Sequence, residues 1–138
     1  MTRYNIRMAK NGEGPAIEAL LRGGGWDIEG LDWSRVGPGW LVAEDGGALF
    51  GCIQVLPGMP IGTLERMATR TDLTPIERAG AVHALLTQGM ATLLKMGAGL
   101  VMTTVPHEMK TYKRILKKRG AFTVSAGALL AARLPHVH

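Results

Sequence analysis

From Leu73 to about Lys95 the apolar residues Val82, Leu85, Leu86, Leu93 and Leu94 recur at helical spacing, which predicts one long helix with a single buried side. β-rich sequence stands on both sides of it. Ahead lie Trp40–Glu44, Ala48–Leu56 and Ile61–Thr69, three runs that read as strands. Behind lies Gly99–Val105, "GLVMTTV", short, apolar and β-branched like a buried strand. A helix enclosed by strands has to bury its apolar side on a sheet, so a layered α/β (α+β) architecture is expected.

The remaining signals complete the order. Tyr4–Met8 alternates as a short first strand, and Glu13–Arg22, "EGPAIEALLR", places Ile17, Leu20 and Leu21 on one helical face before Gly23-Gly24-Gly25. Gly23–Gly39 holds six glycines with Trp26 and Trp33, which predicts an irregular binding loop with one helical turn around Leu31–Arg35. "EDGG", Glu44–Gly47, signals a hairpin, and "PGMP", Pro57–Pro60, closes its second strand. After Pro106, Glu108–Arg119 is amphipathic, with Met109, Tyr112, Ile115 and Leu116 opposite a basic face, and Gly120 stops it. Phe122–Ser125 and Ala128–Leu134 form a last hairpin around Ala126-Gly127. There is no internal repeat, and residues 1–138 are expected to make one domain.

Charge and cysteine content narrow the partners. Sixteen Lys and Arg against eleven Asp and Glu give a net charge of +5, which suits an anionic cofactor or an acidic protein surface. Two Tyr and two Phe are too few for the stacking platform of a single-strand or RNA-binding sheet, so nucleic acid is not expected. No apolar run reaches the length of a membrane span, the N-terminus lacks a signal-peptide core, and the lone Cys52 cannot close an internal disulfide. A reducing cytoplasm is the expected location.

The start of the long helix carries two readings. Thr74-Pro75-Ile76-Glu77 is T-x-x-E with proline in the first turn, the pattern of a capping box in which each side chain satisfies the other residue's N–H. The same stretch, through Gly80, is also a glycine-containing helix start that can offer N–H groups to a phosphate.

The element order and the stretches "MATRTDLTPIERAGAVHALLTQGMATLLKMGA" and "VPHEMKTYKRILKKRGAF" resemble the Gcn5-related N-acetyltransferase superfamily. That resemblance implies a mixed central sheet of about six or seven strands in the order β-α-(α)-β-β-β-α-β-α-β-β. It implies acetyl-CoA as cofactor, held by backbone groups of Met67, Ala68 and Thr69 and of Arg78, Ala79, Gly80 and Ala81. With Gly80 on the family glycine, Glu77 stands where a basic or amide residue is usual and Val82 where a small one is. Arg66, Arg70 and Arg78 are the cations available to offset Glu77.

The resemblance also implies catalytic candidates. Glu65 matches a strand carboxylate that serves as general base, and His107, after the fifth strand, could shuttle a proton. The family's general-acid tyrosine is matched by Leu116 and a common asparagine by Met109; Tyr112, one turn before Leu116 on the same face, either packs in the core or replaces that tyrosine if the helix is rotated or shifted. His83 within the long helix reads as a partly buried structural histidine, and Cys52 as a buried small hydrophobe. His136 and His138 have no metal-ligand constellation around them, and no metal is expected. "TYKRILKKRGA" is similar to the acetyltransferase-like internal virion proteins of short-tailed phages.

Two functions follow. One is an acetyl-CoA-dependent N-acetyltransferase. The other, favoured by the mismatches at Glu77, Val82, Met109 and Leu116, is a non-catalytic structural or interaction module with protein partners or assembly neighbours, in a host cytoplasm or a virion.

Overall fold

The computed structural model describes residues 4–28, 39–104, 114, 123–124 and 129–133. Its elements are β1 (Asn5–Met8), α1 (Gly14–Gly23), β2 (Trp40–Asp45), β3 (Ala48–Leu56), β4 (Ile61–Thr69), α2 (Pro75–Lys95), β5 (Leu100–Thr104), β6 (Thr123–Val124) and β7 (Leu129–Arg133). The hydrogen-bonded strand order is β1-β2-β3-β4-β5-β7-β6, seven strands. β4 and β5 run parallel, whereas β1–β2, β2–β3, β5–β7 and β6–β7 are antiparallel. The mixed sheet and α+β class are as expected. Two compact units divide the chain, Met1–Gln54 with Arg66–Leu85 and Val55–Glu65 with Leu86–His138.

In the first unit, β2 and β3 are joined by Gly46 (φ 59°) and Gly47 (φ 86°), a two-residue turn with both centres left-handed, which glycine adopts without strain. The ladder pairs Ala43 with Gly51 and Glu44 with Leu49, so Phe50 is an extra residue that bulges out of β3. Successive side chains of a strand face opposite ways, and the core divides accordingly. Val42 and Cys52 pack with Ile17, Leu20 and Leu21 of α1, together with Ala9, Ile28, Trp40 and Ala68. On the opposite face Gly51 lets Leu85 of α2 come close: a Cβ added there would lie 3.0 Å from a Leu85 methyl. One helix therefore covers each face of this part of the sheet.

The ends of α1 are fastened by specific groups. The Arg7 guanidinium donates to both carboxylate oxygens of Glu13 at 2.8 Å, to Glu44 and to the Met8 carbonyl, while the Lys10 N–H donates to Glu13 at 2.6 Å. This joins the start of α1 to β1 and β2. At the other end Gly25 (φ 82°) donates to Arg22 and Trp26 N–H donates to Leu21, a Schellman ending that turns Trp26 back toward the α1 core.

In the second unit, Ile61–Leu64 of β4 pair with Leu100–Val101-Met102-Thr103 of β5. Two glycines let the second half of α2 approach β4. A Cβ at Gly62 would fall 2.8 Å from Leu93, and one at Gly89 would fall 2.9 Å from Leu64. α2 ends as α1 does: Gly97 (φ 100°) donates to Leu94 and Ala98 donates to Leu93. The Pro60 carbonyl then accepts from Gly99 and Leu100, which holds the 57–60 loop on the α2–β5 turn.

Several expectations shift. α1 begins at Gly14, with Glu13 as its N-cap, and β5 is two residues shorter than Gly99–Val105. His83, read as partly buried, is on the solvent side of α2, because Val82, Ala84, Leu85 and Leu86 take the buried positions. Cys52 is fully buried, as read. The turn at Leu31–Arg35 with Trp33, and His107, Met109, Tyr112, Leu116, His136 and His138, lie outside the described residues. Of the helix expected over Glu108–Arg119, Arg114 is described, as helical and exposed. No helix among the described residues is long and apolar enough to cross a membrane.

The β4–α2 corner as a candidate functional site

The residues expected to meet a cofactor gather in the first unit, where β4 ends, residues 70–74 turn and α2 begins. A helix start leaves N–H groups without intrahelical partners, and an anion site depends on those groups being open. Here they are mostly used. Thr74 N–H donates to Glu77 Oε1 at 3.0 Å, and Glu77 N–H donates to Thr74 Oγ1 at 3.2 Å. Both halves of the capping box are formed. Pro75 has no N–H, and Arg78 N–H donates to the Thr74 carbonyl at 2.9 Å, the first bond of the helix ladder. Ala79, Gly80 and Ala81 follow inside the helix, where their N–H groups belong to the same ladder. The helix thus begins more than a turn ahead of Gly80, and the N–H groups of Arg78–Ala81 are engaged.

The three arginines that could balance Glu77 also have work within the fold. Arg66 donates to Gln54 Oε1 at 2.9 Å. Arg70 forms a two-pronged pair with Asp72 and lies with its guanidinium 4.7 Å above the centre of the Phe50 ring. Its cation is stabilised by Asp72, and the Asp72 carboxyl is held below its usual range mainly by Arg70. Arg78 donates across the turn to the carbonyls of Thr71 and Leu73, at 3.4 and 3.5 Å. These contacts close the 70–74 turn.

Aromatic residues complete the corner. The Phe50 bulge sets its ring 5.5 Å from Tyr4, whose hydroxyl donates at 3.4 Å to the Glu77 carbonyl and whose ring lies alongside Gly80. The Met67 carbonyl accepts from Trp26 Nε1–H at 2.7 Å. Arg70 N–H bonds the Phe50 carbonyl, and an Ala68 backbone group bonds the Cys52 thiol. Of the β4 stretch expected to hold a cofactor, Met67 and Ala68 are buried and Thr69 is half-buried. Arg66 immediately before it has φ 53°, a left-handed conformation that is uncommon for a residue with a side chain. Nothing in the sequence signals that kink, nor the Trp26 bond.

An open groove of about 790 Å³ lies between α1 and this corner, with Ala16, Ala19, Gly23, Leu49, Arg70 and Asp72 along its walls. Its described lining residues include no histidine, cysteine, lysine or tyrosine, and the carboxylates among them, Glu13 and Asp72, are both paired with arginine. Thr69 and Thr71 bring the hydroxyls among its described lining residues. Glu65, the proposed base, is a half-buried β4 residue of the second unit. Among the described residues no group of three or more His, Cys, Asp and Glu could hold a metal ion.

The residues at the corner do not suit acetyl-CoA in the way the resemblance implies. The α2 start presents a carboxylate and a closed cap, and the neighbouring cations bind within the fold.

No protein-family model matches the sequence, and no curated protein sequence matches it. Solved structures do share its fold. Ard1 from Thermoplasma volcanium superposes with a TM-score of 0.80 at 14% identity, over 97% of this chain and 99% of that one. The diaminobutyrate acetyltransferase EctA from Paenibacillus lautus, solved with its substrate and coenzyme A, gives 0.75 at 15% identity over the whole of both chains. N-acetylglutamate synthase from Neisseria gonorrhoeae, complexed with coenzyme A and L-arginine, gives 0.78 at 16% identity over 99% of this chain. This chain spans 34% of that synthase.

Proposed function

We propose that this chain, whose fold is that of the Gcn5-related N-acetyltransferases, is a single-domain, non-catalytic interaction module built on that fold. The observation that carries the reading is the closed start of α2: Thr74 and Glu77 satisfy each other's N–H groups at the place where a pyrophosphate needs donors. Glu77 also adds negative charge where an anion would sit, and Arg70 and Arg78 are turned to internal partners. Its partners are proteins or assembly neighbours. The type case is a component of a phage particle, a reading supported by the stretch "TYKRILKKRGA".

A second reading, an acetyl-CoA-dependent N-acetyltransferase with Glu65 as base, draws on the coenzyme A bound in EctA and in the synthase. It also draws on the short parallel ladder: β4 continues for five residues past Leu64, the last residue paired with β5 among the described residues.

Titration with acetyl-CoA separates the two. A ligand at about a hundredfold excess over its Kd stabilises the folded state by about 2.7 kcal/mol, several degrees in Tm for a chain of this size. The expected result is neither heat in calorimetry nor a Tm shift at millimolar cofactor. A Tm rise of several degrees that Gly80→Arg abolishes would overturn the module reading. Thr74→Ala opens the cap at a cost of about 1 kcal/mol, and it is expected to lower Tm without creating acetyl-CoA binding, because Glu77 stays in place.

A further inference from the structure

We infer that the apolar shoulder made by the 57–60 loop and the α2–β5 turn is a docking surface for an acidic, amphipathic protein segment. Four large apolar side chains stand in water within this one part of the second unit: Met59 is 77% exposed, Met96 52%, Ile61 45% and Leu56 41%. The shoulder is a built surface. Pro60 is bonded through its carbonyl to Gly99 and Leu100, the Schellman ending of α2 sets Met96 beside Gly97, and the Met59 side chain lies across Gly97, where a Cβ would meet it at 3.1–3.3 Å. Exposed apolar side chains grouped on one loop and the turn it is bonded to mark an interaction site, and flexible methionines adapt to a partner's shape.

Charge selects the occupant. Among the described residues the second unit carries Lys95, Arg114 and Arg133 against Glu65, a net +2, whereas the first has six Lys and Arg against seven Asp and Glu, a net −1. The positive balance among the described residues therefore lies with the unit that bears the shoulder, and Lys95 is exposed immediately before Met96. A second copy placed shoulder to shoulder would bring like charge against like. A nucleic acid would gain nothing from four aliphatic side chains, and the described residues of this unit include no aromatic on which a base could stack. A protein segment with apolar anchors and flanking Glu or Asp satisfies both features at once.

This inference rests on the interaction-module reading, which the acetyl-CoA titration tests separately. Here the test uses the full chain and a fluorescent amphipathic peptide of leucine and glutamate, with a leucine–lysine peptide and a short single-stranded DNA as comparisons. At about 50 mM salt, where screening is weak, the acidic peptide is expected to bind in the micromolar range and the lysine peptide not at all. Met59→Asp with Met96→Asp is expected to weaken binding at least tenfold, with Met59→Gln and Met96→Gln as the milder pair should the first fail to fold. Absence of acidic-peptide binding, binding unchanged by both pairs of substitutions, or tighter binding of the DNA would overturn the proposal. So would self-association in sedimentation that the same substitutions abolish.

Discussion

Leu85→Ala is expected to lower the unfolding free energy by about 3–4 kcal/mol, since it removes a fully buried branched side chain and leaves a cavity that can relax only in part. The neighbours explain the upper-range value. Gly51 has no side chain with which to fill the space, and the β3 backbone it belongs to is fixed by ladder bonds to β2. His83→Ala, two residues away on the water side of the same helix, should change stability by less than about 0.5 kcal/mol. Urea unfolding of the two variants checks both values; similar small losses would show that α2 does not bury this face as described.

Arg7→Met is expected to cost about 2 kcal/mol at neutral pH and to flatten the acid limb of the stability curve. Arg7 holds the Glu13 carboxyl down to about 2, chiefly through the paired hydrogen bond. The folded-state value lies below the ordinary 4.5, so the stabilisation is fully present above that ordinary value and is lost as pH falls toward 2. Both side chains are about one-fifth exposed, and water screening keeps the effect well under what the full shift implies. Urea midpoints measured near pH 7 and pH 3 should therefore converge for the variant and the parent chain as acid is added. A gap between them that does not narrow would show that Arg7 acts through packing instead.

What could be read from the residues, and what could not, follows from how local each device is. The capping box spans four consecutive residues, and the β2–β3 turn is a glycine pair between two strands, so each was visible in a short window. The arginines were not. Whether Arg66, Arg70 and Arg78 face an outside anion depends on what lies opposite them, and Gln54, Phe50 and the Thr71 carbonyl came opposite only through strand register, a bulge and a turn. The Trp26–Met67 bond joins residues 41 apart, and Arg7–Glu44 residues 37 apart. His83 was misplaced because a five-residue stretch of α2 with four buried positions still leaves one position for water.

The buried cysteine has a use that its inertness creates. Cys52 lies in the core beneath α1, and burial pushes its thiol up to about 12, so in the native molecule it is both unreachable and almost never a thiolate. Any reagent that captures it has caught a molecule whose first unit had come apart. With no other sulfhydryl in the chain, alkylation at this one atom is a clock for opening, and it needs no engineered probe.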